Sequence, residues 1–167
     1  MLVLLHNIRS AHNVGSIFRT ADAAGIEKIY LCGITPAPID RFGKPRQEIA
    51  KVALGAESTV PWEISHSTVS LLKKLKKQGF MIYAIEQSVR SMPYNTMRLH
   101  KKELARTVLV VGNEVEGLSS SILTHADTIL EIPMSGGKES LNVAVAFGIV
   151  AFHLLHPVGS RIAKKML

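Results

Sequence analysis

The chain has 167 residues, which fits one domain of ordinary size, and 47% of them are hydrophobic, enough to form a buried core. Its formal net charge of +7 favours a nucleic-acid partner over a charge that serves solubility alone. The single cysteine, Cys32, excludes an intrachain disulfide and indicates a reducing compartment, so we expect a cytoplasmic protein.

Short apolar runs alternate with amphipathic stretches along the chain. Runs of a few apolar residues predict buried strands, whereas apolar positions spaced by three and four residues predict helices. This alternation predicts an α/β fold with a mostly parallel sheet and helices on both faces. In chain order we predict a strand at 2–5, a helix at 13–24, a strand at 29–32, a loop at 35–46, a helix at 47–54, a helix at 67–78, a strand at 80–85, an irregular or weakly helical basic stretch at 88–106, a strand at 108–111, a helix near 118–124, a strand at 129–132 and a helix at 140–155.

The sequence gives no sign of a second domain, because it contains no internal repeat, low-complexity segment or linker. We assign residues 1–156 to one domain and residues 157–167 to a basic tail. The longest apolar run, residues 143–155, is too short to span a bilayer. The apolar N-terminus lacks the basic leader of a signal peptide, and the cysteine and histidines lack zinc-ligand spacing. We therefore expect neither a membrane nor a metal partner.

The first candidate segment, residues 7–19, joins a predicted strand to a predicted helix. Ligands bind at such strand ends in open α/β sheets. Asn13 is suited to cap the helix N-terminus, and Arg19 lies on an otherwise apolar helix face. A structural cap and an arginine that extends its head into solvent would explain the same residues, so this segment alone leaves both interpretations open.

The second candidate segment is the turn that follows the predicted strand at 108–111. Gly112 and Gly117 allow the backbone to approach a ligand closely or to adopt positive φ. Glu114 lies at the carboxyl end of the strand, where a carboxylate can accept hydrogen bonds or orient a positive group. An ordinary tight turn would explain the same glycines, so this segment too leaves two interpretations open.

The third candidate segment, residues 132–143, superficially resembles a phosphate-binding loop. The pattern fails because position 132 is Ile rather than the first glycine, and because Lys138 is followed by Glu139 rather than Ser or Thr. A nucleotide triphosphatase is therefore disfavoured. Ser140 and Asn142 precede the long apolar helix, and we expect them to cap its backbone N–H groups.

Together, and in this order, the three segments resemble the SpoU (TrmH-like) family of SPOUT RNA methyltransferases. The resemblance covers about residues 2–155, and it implies a trefoil knot in the C-terminal third, which general topology rules would not predict. It also implies a homodimer with the active site near the subunit interface. The matching sequences are Asn-Val-Gly-Ser-Ile-Phe-Arg at 13–19, Val-Gly-Asn-Glu-Val-Glu-Gly-Leu at 111–118 and Ile-Pro-Met-x-Gly-x-x-x-Ser-Leu-Asn-Val-x-Val-Ala at 132–146.

The resemblance implies methyl transfer from S-adenosylmethionine (SAM) to a ribose 2′-hydroxyl of tRNA or rRNA, and analogy favours tRNA. Arg19 matches the family's catalytic arginine. Because a guanidinium seldom gives up a proton, we expect Arg19 to bind phosphate and stabilise the developing alkoxide rather than to act as the base. The other implied catalytic residues, which would orient Arg19, the ribose or the cofactor, are Asn13, Glu114, Ser140 and Asn142.

The same resemblance implies that SAM binds in the knot, held largely by the backbone of the second and third segments. The implied cofactor residues are Gly112, Asn113, Glu114, Gly117, Ile132, Met134, Ser140, Leu141 and Asn142.

Basic residues near the first two strand ends are the expected RNA contacts. Two alternatives remain at this point: an RNA-binding SPOUT protein without catalysis, and a SPOUT enzyme that methylates a base nitrogen. The basic tail either extends the RNA surface or has no role. The predicted RNA contacts are Arg9, Arg19, Arg41, Lys44 and Arg46, and the tail residues are Arg161, Lys164 and Lys165.

Overall fold

Seven parallel strands form the central sheet of the computed structural model, which describes residues 1–157. The predicted tail residues Arg161, Lys164 and Lys165 lie outside the described residues. The strands are β1 (Leu2–His6), β2 (Lys28–Cys32), β3 (Trp62–Ser65), β4 (Met81–Ile85), β5 (Met92–Pro93), β6 (Thr107–Val111) and β7 (Thr128–Glu131). Their order across the sheet is β3-β2-β1-β6-β4-β7-β5.

Helices connect the strands and cover both faces of the sheet. α1 ends at Gly25, whose φ of 79° is the left-handed conformation that glycine adopts without strain. The helices are α1 (Ala11–Ala24), α2 (Gln47–Ala53), α3 (Ala56–Thr59), α4 (Thr68–Lys77), α5 (Lys101–Leu104), α6 (Ser120–Leu123) and α7 (Val143–Leu155), with a 3₁₀ turn at Tyr94–Thr96. None of the helices within residues 1–157 is long and apolar enough to cross a membrane.

Two hydrophobic cores lie on opposite faces of the sheet. On one face, Phe18 of α1 and Phe147 of α7 are completely buried against the sheet. On the other face, Leu72 of α4 packs into a second cluster. Burial of such a side chain stabilises the fold by roughly 1.5–3 kcal/mol. The central strands β1 and β6 are apolar on both sides because each contributes to both cores, as the predicted α/β fold requires.

Several local predictions differ from the structure. The stretch 88–106, predicted as irregular or weakly helical, contains the short edge strand β5 and the helix α5. The strand β3 was not predicted, because its sequence Trp-Glu-Ile-Ser is largely exposed at the sheet edge and lacks an apolar run. The cap of α1 is Ser10 rather than Asn13, and Asn13 lies inside the helix. The last helix begins at Val143 rather than at residue 140, so Ser140 does not cap it, whereas Asn142 does.

The strand order reverses between β1 and β6, which are neighbours in the sheet although far apart in sequence. The chain places β2 and β3 on one side of β1 and the later strands on the other. Such a switch point opens a crevice at the carboxyl ends of the strands. Here the Asn113 side-chain amide donates to the main-chain oxygen of Asn7 at 2.8 Å and ties the two strand ends together. The first two candidate segments therefore meet at this crevice.

Candidate active site

A pocket of about 930 Å³ opens at the switch point, a size that suits a cofactor or small ligand. It lies between the turn after β1, the turn after β6 and the segment that leads into α7. All nine residues expected to bind the cofactor line this pocket, namely Gly112, Asn113, Glu114, Gly117, Ile132, Met134, Ser140, Leu141 and Asn142. The structure thus brings together the second and third candidate segments, and Asn13 and Arg9 of the first line the same pocket.

Glu114 connects the turn after β6 to the start of α1. Its carboxylate accepts hydrogen bonds from the backbone N–H of Arg9 at 2.9 Å and of Ser10 at 3.0 Å. It also accepts one from the Asn13 side-chain amide at 2.9 Å. Because these three donors converge on one carboxylate, they hold the N-terminus of α1 against the pocket, and an ionised acid is favoured there.

The pKa of Glu114 lies below the usual value for a glutamate. Partial burial alone would raise the pKa, but the hydrogen bonds from Arg9, Asn13 and Ser10 together outweigh that effect. Glu114 is therefore an anion at neutral pH. An anion of this kind accepts hydrogen bonds and positions its neighbours, and it is not suited to donate a proton.

Asn142 joins the third segment to the same network. Its side-chain amide donates to Asn13 Oδ1 at 3.1 Å, and its own Oδ1 accepts from Ala144 N at 2.9 Å, which caps α7. Asn13 is 8% exposed and lies between the other two side chains, so Glu114 and Asn142 fix its orientation. The three candidate segments are thereby linked through one chain of hydrogen bonds.

The two glycines of the second segment leave no room for a side chain. A Cβ on Gly112 would lie 2.7 Å from the backbone carbon of Gly117 and from Leu118 Cγ. A Cβ on Gly117, whose φ is +65°, would lie 2.2 Å from Glu86 Oε2. Glycine is therefore required at both positions, because the backbone of the turn packs closely against itself and against Glu86. The absence of side chains also gives a ligand direct access to the backbone of the turn.

Glu86 and Gln87 are two of the pocket residues that the sequence analysis missed, and both hold its wall together. Glu86, just after β4, accepts a hydrogen bond from Leu118 N at 2.7 Å and so holds the turn at Gly117. Gln87 donates to the main-chain oxygen of Glu139 at 2.6 Å and ties the strand end to the third segment. Their position at the carboxyl end of a buried strand was the only signal in the sequence.

The predicted basic residues lie elsewhere, apart from Arg9. Arg19 is exposed on α1 and does not line the pocket, and within residues 1–157 its guanidinium forms no hydrogen bond or ion pair. Within the described chain neither Glu114 nor Asn142 contacts Arg19, and the expectation that they orient Arg19, the ribose or the cofactor stays a prediction. Arg41, Lys44 and Arg46 are exposed on the loop between β2 and α2.

The described residues contain neither a reactive cysteine nor a cluster of metal ligands. Burial raises the pKa of the Cys32 thiol to about 11, although hydrogen bonds with Thr68 and Ser65 act in the opposite direction. The thiol is thus neutral and buried, as expected. Within residues 1–157 no three His, Cys, Asp or Glu side chains are grouped as metal ligands.

The pocket wall combines apolar side chains with backbone and amide groups. Leu130, Ile132 and Met134 provide apolar surface, whereas Asn113, Glu114 and Asn142 provide hydrogen-bonding groups. Such a wall fits a small ligand that has both apolar and polar parts. Fold and pocket together define an α/β protein with a ligand site at the switch point of a parallel sheet.

The chain belongs to the SpoU rRNA methylase family, whose family model matches residues 1–152. It is 33% identical over 150 residues to the 23S rRNA (guanosine-2'-O-)-methyltransferase RlmB of Neisseria meningitidis serogroup B, covering 90% of this chain and 56% of that protein. It is 34% identical over 152 residues to the tRNA (guanosine(18)-2'-O)-methyltransferase of Aquifex aeolicus, covering 91% and 67%. The family suggested by the three segments is thus confirmed.

The fold is also similar to that of solved structures. The AdoMet-bound rRNA methyltransferase from Sinorhizobium meliloti superposes with a TM-score of 0.78 at 31% identity. The alignment covers 90% of this chain and 54% of that one. The chain therefore spans little more than half the length of several proteins that it matches.

Proposed function

We propose that this chain transfers a methyl group from SAM to a ribose 2′-hydroxyl of RNA. The observation that carries the proposal is the hydrogen-bonded chain Glu114–Asn13–Asn142, which joins all three family segments around one pocket. The AdoMet-bound Sinorhizobium meliloti structure and the 2′-O-methyltransferase relatives support the same chemistry.

The residues of the pocket fit SAM as its ligand. The turn Gly112–Gly117 offers backbone groups where no side chain fits, and Ile132, Met134 and Leu141 offer apolar surface for an adenine ring. Ser140 and Asn142 also line the pocket, where they would meet polar substituents. When bound, SAM supplies an electrophilic methyl group carried on a positively charged sulfur.

The protein's own contribution is to hold the ribose and the phosphate backbone. A ribose 2′-hydroxyl must be held in line with the methyl group and must lose its proton, and positioning alone contributes several kcal/mol. Arg19 would bind the phosphate next to that ribose and stabilise the developing alkoxide, while a phosphate oxygen or water accepts the proton. Asn13, Glu114, Ser140 and Asn142 would align the pocket wall, and the first two hold α1, the helix that carries Arg19.

RNA is the proposed substrate, with tRNA ahead of rRNA. The net charge of +7 and the exposed Arg9, Arg41, Lys44 and Arg46 support a polyanionic partner. The test is to incubate the protein with SAM and either unmodified tRNA or rRNA, and to identify nucleosides by mass spectrometry. A new 2′-O-methylnucleoside supports the proposal. A base-methylated nucleoside supports a base methyltransferase, and RNA binding without methyl transfer supports a non-catalytic RNA-binding protein.

We also propose a homodimer, built on the surface of α1 and α7. A helix that is apolar all round is normally buried, yet Val145 and Phe152 of α7 are exposed in the single chain. They border a groove between the two helices, in which Gly148 and Thr20 are also found. Phe152→Glu should yield monomers by sedimentation, whereas Ile64→Glu on the edge strand β3 should leave dimers. Dimers of both variants would contradict this interface.

A trefoil knot and a cytoplasmic location complete the proposal. The resemblance implies the knot in the C-terminal third, where the Glu86 and Gln87 contacts hold the end of β4 against the two segments that line the pocket. Pulling residues 1 and 157 apart in an optical trap should leave the chain shorter than its full contour length. A fully extended chain would contradict the knot.

A further inference from the structure

Phe42 projects from the loop between β2 and α2 and is 70% exposed. Single exposed apolar residues are common and need no explanation by themselves. Phe42 differs from the other exposed apolar residues because it is an aromatic ring on a braced and basic loop whose base is joined to the pocket. Each of these features bears on what the ring contacts.

The first feature is a turn that holds the ring in place. Asp40 Oδ1 accepts hydrogen bonds from Phe42 N at 2.8 Å and from Lys44 N at 2.9 Å. Asp40 N donates to Lys44 O at 2.8 Å, and Gly43 has a φ of 77°. Because the backbone at the tip of the loop is already fixed, little conformational entropy of the loop is lost when a ligand binds to the ring.

The second feature is positive charge on and around the ring. The guanidinium carbon of Arg41 lies 4.7 Å from the centroid of the Phe42 ring, within cation–π range. Lys44 and Arg46 are exposed on the same loop. An aromatic ring among arginines and lysines is the combination with which proteins bind single-stranded nucleic acid, where bases stack on rings and phosphates meet cations.

The third feature is the connection between the loop and the pocket. Ile34 N donates to Asn7 Oδ1 at 3.1 Å, and Ile8 N donates to Thr35 Oγ1 at 3.0 Å. The residue after Ile8 is Arg9, which lines the pocket and bonds to Glu114. The base of the loop is thus fastened to the segment that forms the pocket rim.

We propose that Phe42, backed by Arg41, is a stacking platform for an unpaired base of the substrate RNA. The proposal rests on the proposed function, because it takes RNA as the substrate whose ribose enters the pocket. Stacking is sequence-tolerant and requires a base outside a duplex, so Phe42 selects RNA with a single-stranded loop or end.

The test compares binding of two RNAs by fluorescence anisotropy at one salt concentration: a stem–loop, and a fully paired duplex made from the same stem. Phe42→Ala should weaken stem–loop binding by about 5- to 100-fold and leave duplex binding within about twofold. Phe42→Trp should restore it. Ile64→Ala, an exposed apolar residue on the edge strand β3, is the matched control. SAM affinity, measured by calorimetry on each variant, reports that the pocket is intact.

Several outcomes would overturn the proposal. Equal losses of affinity for the stem–loop and the duplex would show that Phe42 contacts RNA without selecting unpaired bases. No loss of affinity for either RNA would show that the ring does not contact RNA, and would favour a protein partner instead. A wild-type protein that binds neither RNA would also overturn it. Methyl transfer by the wild type is measured separately, so a protein that binds the stem–loop through Phe42 without methylating it contradicts the proposed function alone.

Discussion

Asn13 and Glu114 are 101 residues apart in sequence, yet the Asn13 amide donates to the Glu114 carboxylate at 2.9 Å. The strand order brings them together, because β1 and β6 are neighbours and their carboxyl ends carry the two segments. Asn13 Oδ1 in turn accepts a hydrogen bond from the Asn142 amide at 3.1 Å. The buried side-chain amide of Asn13 thereby holds three distant parts of the chain together around the pocket.

Replacing Glu114 with glutamine should weaken both activity and stability. Glutamine offers one acceptor oxygen where the carboxylate offers two, so a backbone N–H of Arg9 or Ser10 loses its partner. We expect the rate of methyl transfer to fall about tenfold or more, which corresponds to the loss of one charge-assisted hydrogen bond. Methyl-transfer kinetics and urea unfolding at pH 7 measure the two effects. Unchanged activity would mean that Glu114 only braces the turn.

The stabilities of the wild type and of Glu114→Gln should also differ in their dependence on pH. Because the pKa of Glu114 is lowered in the folded state, its contribution is fully present above the usual pKa and disappears as pH falls through the lowered value. The stability advantage of the wild type over Glu114→Gln should therefore be complete above the usual glutamate pKa of about 4.3 and should shrink steadily as pH falls below it. An advantage that does not shrink with falling pH would show that ionisation of Glu114 is not its source.

Two substitutions at Asn142 separate its capping role from its role in the pocket. Asn142→Asp keeps the oxygen that caps α7 but removes the N–H that meets Asn13. Asn142→Ala removes both groups and should cost about 1 kcal/mol of stability. We expect the Asp variant to unfold near the wild-type temperature yet to lose methyl transfer. If it retained full activity, the contact with Asn13 would be dispensable.

The turn after β6 should not tolerate a methyl group, whereas the glycines before α7 should. Gly117→Ala places a Cβ 2.2 Å from Glu86 Oε2 at a φ of +65°, so we expect SAM affinity to fall about 100-fold or more. Gly136→Ala meets nothing within 4 Å and is the control, expected within about threefold. Isothermal titration with SAM measures both. A tolerated Gly117→Ala would mean that the turn is free to move.

The fold was predictable where local patterns and tertiary structure agree. β1 and β6 are buried on both faces, so they are continuous apolar runs in the sequence. The half-exposed edge strand β3 lacks that pattern and was missed. Periodicity also cannot show where α7 begins, because Ser140 and Asn142 both suit a helix start and only Asn142 caps it.

A site residue could be predicted from the sequence where it belongs to a motif of neighbouring residues, and was missed where its partner is distant in sequence. The pocket-lining residues of the second and third segments were found because they belong to motifs. Only the capping role of Asn13 was wrong, since Ser10 and Asn13 can both cap a helix and the distant Glu114 engages the Asn13 side chain. Glu86 was missed because its partner, the amide of Leu118, is 32 residues away in sequence.

Arg19 should contribute to the pocket of the partner subunit rather than to its own. It is exposed on α1, forms no contact with Glu114 or Asn142 within residues 1–157, and belongs to a helix of the proposed dimer interface. Arg19→Ala should therefore abolish methyl transfer while leaving SAM affinity within a few-fold. Arg19→Lys should rescue little, because lysine keeps the charge without the bidentate geometry.

A mixed dimer decides whether Arg19 acts across the interface. One subunit carries Arg19→Ala and the other carries Gly117→Ala, each with its own affinity tag, and the heterodimer is isolated through both tags. If Arg19 acts in the partner, the subunit with the intact pocket receives an intact Arg19, and about half of the wild-type activity should return. Each homodimer remains inactive as the control. If the heterodimer is also inactive, Arg19 acts within its own chain, and α1 must move to bring it to the pocket.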